Sequence, residues 1–557
     1  GYVALNMGAT ERSKFLPQAV TGVSWGSKWA NQAYSGNSES MGIQTENKIM
    51  YIKNWQERHK LIANMIYRTS QSTGSSYSSI TAGNASSNLS EPITSNNVLG
   101  KADNGLTSSK SESRSLSGIL HLNYTLLNRY VFQASISAEG NSAMGRDERM
   151  AYFPSGGINW NIQNEPFMAG AKKSWLGLDE LKLRLGVGQS GRAPKGLSYL
   201  GAFAASTNYM NMPGIKPVRM QLDKLKWETN TEYNLGLDVS FFQGKLKFTA
   251  DVYKRTAKDL LRTNYAIPST TGYSTIAYYN SGASENKGWE FRTNIIFLQK
   301  KDWFVSGSFN LARNENLITE MPDNRDPEGE EKYSFANGKY ATRTEIGRPI
   351  GSFFGYRYLG VYQNKDATYA RDSKGNVMND ANGNPVIMKN GTYPCYPGDA
   401  QYEDINHDGV INEFDMVYLG NAQPLVTGGA SFNVRWKDLS LSATLHGRFG
   451  QSIVNTARMN NESMTTSRNQ SKATLNRWRK EGDATDIPRA LYNYGYNFLG
   501  SDRFMEDASF LRLKTLSLSY NLPKKLCNHF GMTRVNVYAT VYNLFTWTDY
   551  TGQDPEV

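Results

Sequence analysis

Apolar residues recur along much of this chain at every second position, in paired runs joined by short turns and separated by long polar stretches. In the first clear pair Leu116, Leu120, Leu122 and Tyr124 are followed, after Asn128-Arg129, by Tyr130, Phe132, Ala134 and Ile136, with Gln133, Ser135 and Ser137 interleaved. A period of two is that of side chains on a β-strand, so such a pair predicts an antiparallel hairpin with one apolar and one polar face. A second pair sets Tyr233, Leu235, Leu237, Val239 and Phe241 against Leu246, Phe248, Ala250 and Val252 across Gln243-Gly244. In a third, Trp289, Phe291, Ile295 and Phe297 turn at Gln299-Lys300-Lys301-Asp302 into Trp303, Val305, Phe309 and Leu311. A fourth joins Ala430, Phe432, Val434 and Trp436 to Leu439, Leu441, Ala443 and Leu445 through Lys437-Asp438. Further strands are expected within Gln44–Tyr51, Lys182–Val187 and Val535–Phe545.

A soluble antiparallel sandwich with one wet face would give the same alternation in any one hairpin. Three features point instead to an all-β transmembrane antiparallel barrel across residues 1–557. The polar segments Ser70–Ser115 and Asp323–Glu345 far exceed the hairpin turns, matching long extracellular loops and short periplasmic turns. Tyr124, Tyr130, Trp289, Trp303 and Trp436 gather near expected strand ends, as interfacial girdles do. The polar face carries full charges, Lys182 and Arg184 among Leu181, Leu183 and Leu185, and Glu290 with Arg292, which suits a hydrated lumen. Roughly sixteen to eighteen strands are expected, at about 30 residues each with its share of loop. Side chains alone do not fill so wide a barrel, so it needs an aqueous channel or a separate plug, and no segment here reads as a plug.

Composition agrees with a barrel. Of 557 residues, 12% are aromatic and 50 are glycine, and mean hydropathy is −0.56. No run approaches the 18 or more consecutive apolar residues of a spanning helix, which excludes helical insertion but not insertion by strands. The net charge of +11 is scattered, with no basic helix or recognition motif, so nucleic acid is not an expected partner. A lumen or loop surface favouring anions is the better reading. Cys395 and Cys527 are far apart in sequence and no disulfide is expected between them. The chain opens at Gly1-Tyr2-Val3 in what reads as a strand with no signal peptide, so its N-terminus is taken as internal.

The most specific chemistry lies at residues 404–415. With Asp404 as the first position, Asn406, Asp408, Asn412 and Asp415 fall where a twelve-residue calcium loop has its side-chain ligands. Gly409 stands where such a loop turns sharply, and the Val410 carbonyl is the main-chain ligand. Ca2+ seeks several hard oxygens, which this spacing supplies. Asp415, where the sensor loops carry Glu, resembles the dockerin type. An Asx-rich turn, whose carboxylates cap local amides, would use the same residues. His407, between ligands, should point outward. No Gly-x-Ser-x-Gly elbow, P-loop, His-Glu-x-x-His or Cys-x-x-Cys pattern occurs, the histidines stand apart, and the Glu330-Glu331 pair sits in a polar loop, so neither zinc nor catalysis is expected.

Several segments resemble the SusC/RagA family of TonB-dependent transporters of Bacteroidetes, over nearly the whole chain. They are Tyr152-Phe153-Pro154-Ser155-Gly156-Gly157 before Ile158-Asn159-Trp160, Lys226-Trp227-Glu228-Thr229 before Tyr233-Asn234-Leu235-Gly236, and Asn286-Lys287-Gly288-Trp289-Glu290. Pro397-Gly398-Asp399 and Leu419-Gly420-Asn421-Ala422-Gln423-Pro424 bracket the calcium-type motif inside an expected extracellular loop, residues 395–424. Glu506-Asp507-Ala508-Ser509-Phe510-Leu511-Arg512-Leu513-Lys514 and Asn543-Leu544-Phe545-Thr546-Trp547 complete the set. The resemblance implies a 22-strand outer-membrane barrel, in contact with lipid, holding an N-terminal plug and energised by TonB. It also implies a SusD-type surface lipoprotein as lid, in pairs that can dimerise, and import of an oligosaccharide or, in the RagA type, a peptide. The plug and the closing strand are expected outside residues 1–557. Tyr278, Tyr279, Tyr393 and Tyr396 are candidate ligand contacts, since aromatic faces stack on sugars and on one another. A passive porin or surface adhesin, and a soluble calcium-binding sandwich, are the alternatives.

Overall fold

The computed structural model describes residues 1–24, 30–56, 58–81, 90, 105–170, 177–194, 196, 199–209, 212–321, 340–342 and 345–556. Fifteen long strands form the large sheet, taken in chain order. The chain divides into two compact units, residues 1–160, 186–232 and 257–281, and residues 161–185, 233–256 and 282–557.

The first unit holds β1 (Tyr2–Leu16), β2 (Gln32–Trp55), β3 (His59–Thr81), β4 (Gly105–Leu126), β5 (Tyr130–Asn141) and β6 (Met150–Asn161). Strands β7 (Leu178–Arg192), β8 (Glu228–Phe241) and β9 (Leu246–Lys258) are divided at the unit boundaries. The second unit holds β10 (Ala283–Gln299), β11 (Trp303–Glu320), β12 (Val426–Trp436), β13 (Leu439–Phe449), β14 (Phe510–Asn521) and β15 (Asn536–Thr548).

The alternation sets the register. Leu120 faces Ile136, Leu122 faces Ala134 and Tyr124 faces Phe132 across β4 and β5. Phe291 faces Leu311 across β10 and β11. Across β12 and β13 Val434 faces Leu441 and Phe432 faces Ala443. The β8–β9 turn has left-handed backbone at Phe242, Gln243 and Gly244, which only glycine adopts without cost. These apolar partners are exposed: Leu120 and Ile136 are each 44% accessible. A soluble sandwich would bury this face, whereas a spanning sheet turns it to lipid. The opposite face pairs its charges. In the second unit Arg184 Nε donates to Asp238 at 2.8 Å, and its Nη1 meets Asp251 at 3.0 Å. Trp303 and Trp436 are cross-strand partners at the short-turn end, their ring centroids 5.8 Å apart.

Three expectations change. Among the described residues the large sheet has fifteen strands, against roughly sixteen to eighteen expected of the whole chain, because residues 345–425 and 450–509 add little to it. Ser70–Ser115 is not wholly a connection, since β3 runs on to Thr81 and β4 starts at Gly105, through Ser- and Thr-rich sequence that is polar on both faces. Trp289 lies inside β10 rather than at its end, paired with Arg313, because that strand already starts at Ala283. Most of Asp323–Glu345, with Glu330 and Glu331, lies outside the described residues.

The long connections of the second unit carry a core of their own. Tyr356, Tyr362, Met388, Cys395, Tyr402, Ile411 and Leu499 bury together, and Met459, Phe498 and Phe504 form a second cluster. Short strands, among them Lys389–Asn390, Tyr393–Pro394 and Val410–Ile411, supply the backbone pairing. Buried charge is matched: Arg503 meets Glu462 at 2.8 Å, and Arg458 reaches both Glu462 and Glu506, as removal from water requires. Both cysteines are buried and free.

Candidate functional site

The calcium-type loop is built on the parallel pairing of Val410–Ile411 with Lys389–Asn390, which fixes its middle, and on Asp415, which fixes its ends. The Asp415 carboxylate accepts the Ile405 N–H at 2.9 Å and the Asn412 N–H at 2.8 Å. Asp415 is fully buried. Burial pushes its carboxyl above the ordinary carboxylate range, while those two N–H donors oppose the shift. Asp404 accepts the N–H groups of Asp408 and Gly409 at 3.3 and 2.8 Å, and Asp408 accepts the Val410 N–H at 2.7 Å. Gly409 has φ +83°, the left-handed turn foreseen for it.

Asn406 bridges to Asp408 at 3.0 Å, and Asn412 caps Phe414 N–H and reaches the Val410 carbonyl. His407 is exposed. The six proposed ligands thus share one loop, with each carboxylate held by backbone N–H donors. Among the described residues no three His, Cys, Asp or Glu side chains converge as metal ligands; the other donors of this loop are two asparagines and a carbonyl.

The four candidate tyrosines fall in different units. Tyr278 and Tyr279 lie in the first, on the strand Thr275–Asn280 paired with Leu261–Ala266, and Tyr279 leans on Tyr265 at 4.7 Å. Tyr393 and Tyr396 lie in the second, 5.9 Å apart by ring centroid. Tyr393 stacks on Tyr496 at 4.6 Å and 14°, and Tyr494 sits about equally far from both, at 5.9 and 6.1 Å. Arg489 anchors the group. Its Nε and Nη2 hold the buried Asp399 carboxylate at 2.7 and 3.2 Å, Nη2 also donates to the Tyr393 hydroxyl at 3.0 Å, and its guanidinium lies 5.6 Å from the Tyr396 ring. Asn497 donates to the same carboxylate at 3.1 Å.

Burial, with Asp399 nearby, pushes the Tyr393 hydroxyl up to about 12, against the pull of Arg489. The Cys395 thiol is likewise raised by burial to about 12, so it stays protonated and inert. Tyr494, Tyr496 and Arg489 were not foreseen, although Tyr492, Tyr494 and Tyr496 recur at every second position and mark the segment.

A family model described as "TonB dependent receptor-like, beta-barrel" matches residues 10–544. A TonB-dependent receptor of Formosa agariphila is 29% identical over 449 residues, covering 78% of this chain and 41% of that protein. TonB-dependent receptor SusC of Bacteroides thetaiotaomicron is 29% identical over 450 residues, covering 78% of this chain and 41% of that protein. Among solved structures, the RagAB peptide transporter matches all of this chain and 57% of its own at 25% identity, with a TM-score of 0.78. The chain therefore spans about half the length of the proteins it matches.

Proposed function

The chain belongs to the TonB-dependent receptor-like β-barrel family of the bacterial outer membrane, and on that premise we propose that it is the wall of a SusC/RagA-type importer whose cargo is an oligosaccharide. The observation that carries the reading is the exposed apolar face of the long strands, which needs lipid, backed by ion-paired polar positions that suit a hydrated interior. In this reading TonB acts through a plug outside residues 1–557, and a SusD-like surface lipoprotein closes over the long connections, in pairs that can dimerise. The plug supplies the stopper that so wide a barrel requires.

Residues 404–415 hold Ca2+ in this reading, with Asp404, Asn406, Asp408, the Val410 carbonyl, Asn412 and Asp415 as ligands. The support is the donor set, all hard oxygen, and a backbone already closed around it by Asp415. The ion would fix the loop and leave the wall unaffected.

Peptide import is the second reading, favoured by the match to the RagAB peptide transporter along the whole chain. A deletion strain grown on separate oligosaccharides and peptides decides between them: loss of growth on one glycan supports the first, loss on peptides alone supports the second. Conductance of the full-length protein in a planar bilayer tests import itself, because a plugged transporter is nearly closed and an open porin is not.

A further inference from the structure

Residues 393–399 and 489–497 build a surface that has the attributes of a binding site. Tyr396, Tyr492 and Tyr494 are each about half exposed or more, at 49, 65 and 52%, in a part of the chain where Tyr356, Tyr362 and Tyr402 are sealed. Tyr393, Tyr494 and Tyr496 stack on one another at 4.6 to 6.1 Å and 14 to 32°, while Tyr396 stands edge-on to Tyr393 at 67°, so Tyr393 and Tyr496 back the group and Tyr494 and Tyr396 carry its exposed area. Exposed aromatic area held in one orientation costs solvation, and grouped exposure of this kind marks contact with a ligand.

The surface is held rigidly from beneath. Asp399 is wholly buried and takes two nitrogens of Arg489, one of Asn497 and the N–H of Tyr396. Arg489 and Asp399 cancel each other's charge. Two guanidinium nitrogens are thereby used, and Nη1 makes no hydrogen bond among the described residues. A donor fixed beside exposed ring faces, with phenolic hydroxyls at their edges, matches a molecule that has an apolar face and hydroxyls at its rim.

We propose that Tyr393, Tyr396, Tyr494 and Tyr496, with Arg489 Nη1 as donor, form a capture site for a pyranose ring of the transported oligosaccharide. This rests on the glycan reading above and deepens it. A pyranose stacks its C–H face on an exposed ring, that of Tyr494 or Tyr396, and accepts from Arg489 through a ring hydroxyl. A peptide fits the surface poorly. Main-chain capture needs a free strand edge, yet the outer strand here is only Tyr393–Pro394, paired on its other side to Lys389–Asn390, and Pro394 has no N–H to offer.

The test uses the full-length protein in detergent with hexasaccharides from α-glucan, β-glucan, xylan and mannan, and a tryptic casein digest as peptide probe, read by calorimetry. One of the hexasaccharides should bind, Tyr494→Ala and Tyr396→Ala should each weaken it about tenfold, and Tyr494→Phe should keep most of the affinity. Arg489→Lys should weaken it while the far-ultraviolet spectrum and protease resistance stay unchanged. Binding by none of the hexasaccharides, displacement by the casein peptides, or affinity unchanged in Tyr494→Ala would overturn the proposal. If the deletion strain loses growth on a glycan while a Tyr494→Ala strain grows at wild-type rates on limiting amounts of it, the capture site is wrong and the import reading stands.

Discussion

In the wall Leu120, Phe132 and Ile136 are 41 to 44% exposed; in the connections of the second unit Phe354, Tyr362 and Phe504 are 1 to 2% exposed. Both regions are rich in apolar side chains, but they hide them differently. The wall leaves one face open along strands of up to 24 residues and relies on lipid to cover it. The connections turn their apolar residues toward each other, around short strands and buried ion pairs, as a soluble domain does. Stability therefore has separate sources in the two regions, and disturbing one should leave the other standing.

The strongest way to break that contrast is Phe504→Ala. Phe504 packs edge-on against Phe498 at 6.2 Å and lies under Arg503 and Arg458, so its loss should destabilise the connections by about 3–5 kcal/mol. Protease should then cut within residues 450–509 while the heat-modifiable gel shift of the barrel persists; joint loss of both would show one cooperative unit. Next in size is Leu120→Arg, which places a charge on the exposed face and should cost about 2–4 kcal/mol if that position is near mid-membrane. The amount recovered in outer membranes should fall, whereas His121→Arg, one residue along on the polar face, should leave it near normal.

Calcium sharpens the comparison, because it should act on the connections alone. At a hundredfold excess over its Kd the ion should add about 3 kcal/mol of resistance to unfolding there. The readout is the protease midpoint of residues 345–425 with Ca2+ and with EGTA, and Asp404→Asn should erase the difference. Equal midpoints in the wild-type protein would make the loop an Asx-rich turn. The smallest effect belongs to the girdle: Trp436→Ala removes the ring pair with Trp303 and should cost about 0.5–1.5 kcal/mol beyond the lost area, seen as a lower urea midpoint in vesicles.

The wall was legible in the sequence because its contacts are local and periodic. Leu120 meets Ile136 across a short turn, and an alternating pattern states both the strand and the face. The connections have no such signature. The Tyr402 hydroxyl accepts the N–H of Leu499, 97 residues away, and Ala400 N–H meets Asn497 across the same span; no periodicity reports contacts that distant. A strand number reckoned from chain length, at about 30 residues each, does not allow for connections this long. Serine-rich extension of β3 and β4 was hidden for the opposite reason, since a strand polar on both faces does not alternate. The sharp turn at Gly409 was readable from spacing alone. The tyrosine cluster was half readable, because Tyr393 and Tyr396 are neighbours in sequence, whereas Arg489, Tyr494 and Tyr496 reach them only through folding.

Gly398 shows how closely the two connections fit. Its φ of +89° belongs to glycine, and a Cβ there would lie 2.3 Å from the ring of Trp478. A turn within one connection is thus moulded to a tryptophan of the other. For divergence within this β-barrel family that fit makes residues 345–425 and 450–509 a single inheritable module. Recombination that exchanged one half between relatives would bring a turn against the wrong tryptophan, so new specificities should arise by exchanging both halves together or by point changes on the surface they jointly present.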